Sequence, residues 1–387
     1  MSTARPGPFA LWNLGFRPFY LLASAFAAVS IAVWVLQYSG AIAGGLVRGP
    51  AYHAHEMLFG YAIAVIVGFL LTAVRNWTQR ETPAGGVLAA IALLWVAGRV
   101  LMLTPYPMAA GIVNALFPLA GAIAIAVPLF ASGNKRNYFF IALLAGASVA
   151  IFVLHLSSMG TIALPPRASL QAGLDIVLFV VAVVAGRVIP MFTNNGVPGA
   201  GASRKAWLET ASLAAILAVL ALDVARGGGA VLAGVAVIAA ALHLGRLCLW
   251  HPWRTLRTPL VWVLHAAYAW IPIHLVLRAG AELGWIAAPL ATHALTIGVI
   301  GGMTIGMMTR TARGHTGRPL VADGAEVIAY WLVQLAAIVR VMLPLAVPVA
   351  YFWAVVASGV LWSLAFALYF VRYWPILTGP RIDGKPG

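Results

Sequence analysis

HEMLFGYAIAVIVGFLLTAVRNW, residues 55–77, decides how the rest of the chain is read. Between Glu56 and Arg75 it carries no charge, and the apolar run is long enough to cross a hydrocarbon core ~30 Å thick. Nothing in it alternates with the period of a membrane barrel strand. Inside hydrocarbon each backbone amide must find its partner within its own segment, so the stretch is a helix. Stretches of the same character lie at 17–39, 85–104, 109–131, 138–160, 170–192, 206–225, 229–249, 258–280, 286–309, 321–343 and 347–374. With 55–77 they predict an all-α polytopic membrane bundle of about twelve transmembrane helices. Residues 1–387 then form one transmembrane domain. The polar stretch 193–205 is expected as a loop, dividing the chain into halves 1–192 and 206–387.

Composition agrees. A chain that is 63% hydrophobic and 9% charged has too little polar surface to cover a water-soluble globule of its size. The formal charge of +15 comes from basic residues spread thinly between the spans, not gathered on one face, so the expected partner is the lipid bilayer and not a nucleic acid. Roughly 18 of the 24 basic residues fall on one side of the membrane, which by the positive-inside rule places both termini in the cytoplasm. The first apolar run continues past Ala23-Ser24-Ala25 to about Val35 and reads as an uncleaved span. A single cysteine, Cys248, excludes an internal disulfide, a CxxC pair and a cysteine-ligated iron–sulfur cluster. Any metal has to be held by nitrogen, oxygen or thioether.

Among nine histidines, His53, His55, His155, His274 and His293 fall in the outer third of the bundle, and His265 sits deeper. An ionisable group in a membrane is expensive to bury unpaired, and neutral imidazole is the commonest metal ligand. Convergence of several on one level points to a site. On a regular helix His53 and His55 differ by about 200° in direction and serve different partners. His53 and Glu56, three apart, share a face and form a proton-handling or ligand pair. The order H-x-H-E is not the H-E-x-x-H of zinc proteases. His265 and His274 are about 13 Å apart along one helix on opposite faces, so they cannot hold one metal together. His55, Gly60 and Gly68 recur at the same spacing as His293, Gly298 and Gly306, a sign of internal repetition.

Several separated segments resemble the NnrS family of bacterial membrane proteins: Gly15-Phe16-Arg17-Pro18-Phe19, His53-Ala54-His55-Glu56-Met57 with Phe59-Gly60, Gly68-Phe69-Leu70-Leu71-Thr72-Ala73 with Asn76-Trp77-Thr78, and Thr292-His293-Ala294-Leu295 running to Gly314-His315-Thr316-Gly317-Arg318. The resemblance spans nearly the whole chain and implies twelve spans in the bacterial inner membrane. It also implies haem, of b type, with copper, and a role in nitric oxide metabolism or nitrosative stress. The choice of ligands is read from the residues and not carried over from the family: with haem present, His55, His293 and His265 are the expected haem ligands, Glu56 and His53 the catalytic pair, and His53, His155 and His274 the expected metal ligands. Nitric oxide is the small-molecule ligand, and quinol or a cytochrome the electron donor of a nitric oxide reductase-like oxidoreductase. A proton-coupled secondary transporter and a non-catalytic haem or nitric oxide sensor are the competing functions.

Overall fold

The structure, a computed structural model, describes residues 9–43 and 49–385. Two of the arginines in the charge count, Arg5 and Arg48, lie outside the described residues. Twelve helices follow one another among the described residues: α1 (Phe16–Tyr38), α2 (Gly49–Thr78), α3 (Gly85–Leu101), α4 (Pro107–Ala131), α5 (Phe139–Ser158), α6 (Pro166–Gly196), α7 (Ala206–Val224), α8 (Gly229–Leu249), α9 (Pro259–Glu282), α10 (Ala288–His315), α11 (Gly324–Ala346) and α12 (Tyr351–Thr378). Eleven are long and apolar enough to cross a membrane. The other, α3, has 17 residues, a rise of about 25 Å.

Several expected boundaries move: α2 begins at Gly49, six residues before 55, and α10 runs to His315, six beyond 309. The stretch 193–205 is a loop only from Val197, because α6 continues through Gly196. The reason is local: the Thr193 hydroxyl donates to the Ile189 carbonyl, and the Asn194 side chain bonds the backbone of Ala202 through both its oxygen and its nitrogen. Polar side chains here satisfy helix and turn groups and do not break the helix.

Helices α2, α6 and α10 are the most enclosed, and α7 is the most peripheral. Helix α12 packs against both α1 and α11, which brings the ends of the chain together. The Ala10 amide donates to the Thr378 carbonyl at 2.7 Å, and the buried Arg17 guanidinium donates to the carbonyls of Leu377 and Gly379. Both described ends therefore lie on one face of the bundle, as an even number of crossings requires.

Two central helices are not regular. A π-helical segment, Glu56–Ala62, begins directly after His55 in α2, and another, Ala294–Gly301, begins directly after His293 in α10. Such wide turns reset the direction of every side chain that follows and recur at functional sites. Glycines let neighbours close on them. A Cβ at Gly60 would strike Arg99 and Phe26, and one at Gly298 would sit inside Trp270.

Candidate cofactor cavity

A cavity of about 930 Å³ opens between the ends of α1, α7, α9 and α11 and the starts of α2, α6, α10 and α12, on the face opposite the described chain ends. That volume is near the upper end of the usual range for small-molecule and cofactor sites. Trp34, Tyr61, Trp362 and the aliphatic side chains of Leu58, Ile297 and Ile300 form much of its wall. Three histidines face it: His53 from α2, His274 from α9 and His293 from α10.

Two of the three have a fixed tautomer. His293 donates its Nδ1–H to the Pro289 carbonyl at 2.6 Å, and His274 donates its Nδ1–H to the Ala291 carbonyl at 2.8 Å. A carbonyl oxygen has no proton to give, so both rings carry hydrogen on Nδ1 and present Nε2 as a lone pair. A second hydrogen bond of this kind is the usual support for a metal-ligating imidazole. The His53 ring is stacked on Trp34, with centroids 4.9 Å apart and planes 17° from parallel.

The remaining expected residues lie elsewhere. His55 donates its Nδ1–H to Glu56 at 2.8 Å, and its Nε2 lies 3.2 Å from His155 Nε2. Glu56 also pairs with Arg99 at 2.9 Å, and Arg99 bonds Asn114. This buried chain of partners balances its charge internally, though Glu56 Oε2 and Arg99 Nε have no hydrogen-bond partner, and it does not line the cavity. Glu56 is thus coupled to His55 and not to His53: the π-helical segment starts at Glu56, so the regular spacing that put His53 and Glu56 on one face does not hold there. His53 and His55 do have different partners, as their angular separation requires. His265 lies in the other half of α9, where its Nε2 meets the Thr193 hydroxyl at 2.8 Å. It reaches neither His274 nor the cavity. His155 faces His55 while His53 and His274 face the cavity, so the expected metal trio is not brought together. No grouping of three or more His, Cys, Asp or Glu placed to hold a metal occurs among the described residues.

The cavity also holds charges that sequence reading treated only as topological. Asp223 and Glu282 neutralise Arg278 at 2.6 and 2.9 Å on one side of it. Arg167 and Arg226 are exposed at its mouth. Arg340 is different: it is buried in α11, lines the cavity and interacts electrostatically with His53 and His293. Its position inside the apolar run Ile338-Val339-Arg340-Val341-Met342 was the available signal, since an arginine within a span is a functional residue by default.

A family model described as NnrS protein matches residues 10–381. No curated protein matches the chain.

Proposed function

The chain belongs to the NnrS family, and from that premise we propose that it is a haem-containing redox protein of the bacterial inner membrane acting on nitric oxide, with the haem in the cavity between α2, α9 and α10. One observation carries the reading: His274 and His293 face a single space of about 930 Å³ with Nδ1 tied to backbone carbonyls and Nε2 free. A haem would need only imidazole ligands from the protein, and His274 and His293 are the residues that would supply them. Bound there, it would supply an iron able to bind nitric oxide and to pass electrons.

The protein's own residues would then divide the work. His293 and His274 would hold the iron, in place of the set His55, His293 and His265 expected from sequence. Trp34, Tyr61 and Trp362 wall the space and exclude water. His53, facing the same space from the Trp34 stack, is the group placed to carry a proton on its ring nitrogen. Glu56 orients His55 and neutralises Arg99, so it acts at a distance from the cavity. Copper finds no comparable set of three protein ligands among the described residues, and no step is assigned to it. The charge bias of the loops supports a periplasmic position for the cavity, and quinol, which shares the bilayer, is the proposed electron donor.

Absorption of the purified protein, produced with ample haem, tests this reading. A Soret band that shifts when nitric oxide is added to the reduced protein is expected. Absence of the band refutes the proposal, and a band indifferent to nitric oxide refutes its choice of substrate.

A further inference from the structure

The repeat hinted at by three residues extends through four helices. In α1 and α2, Phe26 packs at Gly60 and Phe19 at Gly68. In α9 and α10, Trp270 packs at Gly298, and Leu264 and Val263 pack at Gly306. The two packing positions are seven residues apart in α1 and six or seven in α9, and the π-helical segments start one residue after His55 and after His293. The correspondence continues into the next helices. Near the end of α3 lies Arg99, bonded by Asn114 from the early turns of α4; in the later part of α11 lies Arg340, bonded by the Tyr351 hydroxyl from the start of α12 at 3.0 Å. These correspondences match residues of the first four helices to residues of the last four.

The two sets differ at one charge. Arg99 is neutralised by Glu56, the first residue of its π-helical segment. The first residue of the matching segment is Ala294, which carries no acid. All nine acidic residues are described, and Arg340 forms an ion pair with none of them. It is 95% buried, its Nη1 has no hydrogen-bond partner, and it lines the cavity. A guanidinium so placed in a membrane protein is a bidentate receptor without its anion. We infer that Arg340 binds an acidic group of the molecule that occupies the cavity, a carboxylate standing to Arg340 as the Glu56 carboxylate stands to Arg99. Under the proposed function, on which this assignment of the ligand rests, that group is a propionate of the haem.

The test titrates purified apo-protein with ferric protoporphyrin IX and with its dimethyl ester, following the Soret band and tryptophan quenching. Wild-type protein should prefer the free acid by roughly 10- to 100-fold, the range for one hydrogen-bonded charge. Arg340→Gln should lose most of that preference and leave ester binding unchanged, while Arg340→Lys should keep part of it. An acid-to-ester ratio the same in Arg340→Gln as in wild type overturns the inference and leaves the haem reading standing. If neither porphyrin binds, the haem reading falls, and Arg340 is judged with decanoate against decanol by tryptophan quenching. A preference for decanoate that Arg340→Gln abolishes sustains the inference; equal binding of both overturns it.

Discussion

Replacing Glu56 by Gln removes a charge that is 99% buried while keeping the shape of the side chain. Its Oε1 lies 2.9 Å from Arg99 Nη1 and 2.8 Å from His55 Nδ1. At 2.9 Å and an effective dielectric of about 20, the Arg99 attraction is about 6 kcal/mol. Part of this is recovered in the variant, because Asn114 still bonds the guanidinium and the amide oxygen still accepts. Breaking a buried pair by removing one partner costs about 3–5 kcal/mol, and the retained acceptor places this case near about 3 kcal/mol. The folded-to-unfolded ratio should therefore fall by roughly two orders of magnitude. Unfolding in mixed micelles by added SDS, followed by intrinsic tryptophan fluorescence, measures it. Glu56→Gln/Arg99→Gln should be more stable than the sum of the single losses predicts. Arg340→Gln in ligand-free protein should lose under about 1 kcal/mol, since no acid is left behind. A loss under about 1 kcal/mol for Glu56→Gln, or strict additivity in the double variant, refutes the assignment of Glu56 as the partner of Arg99.

Gly298→Ala should destabilise by about 2 kcal/mol because the added Cβ enters the Trp270 ring, whereas Gly234→Ala, which meets open space, should be neutral or stabilising; SDS unfolding compares them. Asp323 caps α11 by accepting from the Glu326 amide at 3.1 Å and also pairs with Arg313 and Arg372, so Asp323→Ala should cost about 1–2 kcal/mol in the same assay. The hydrogen bond from Arg381 holds the Asp383 carboxyl down at about 2, and this group lies beyond the last span. Its stabilising contribution is fully present above about pH 4 and is lost as pH falls through about 2, so Asp383→Asn should flatten the acid limb of the thermal midpoint between those values.

The helices were legible because hydrocarbon permits little else. The expected span 206–225 and the observed Ala206–Val224 differ by one residue, and the same thermodynamic demand fixed the others. The level of the histidines was legible as well: His53, His274 and His293 do share one space, and His265 is apart from it. Which ring meets which was not, for two reasons. Regular helical spacing fails at Glu56, where the π-helical segment begins, so the His53–Glu56 pair could not be foreseen to give way to His55–Glu56. The His55–His155 contact joins residues a hundred positions apart, which only packing decides. Arg340 was visible in sequence, but it was counted as loop charge when its apolar neighbours already set it inside a span.

The central claim is that the iron lies in the cavity on His293 and His274. Absorption and electron paramagnetic resonance of haem-loaded wild type, His293→Ala, His274→Ala and His265→Ala test it most directly. Both cavity variants should lose haem or change spin state while His265→Ala keeps the wild-type spectrum; unchanged spectra in both cavity variants would contradict the account.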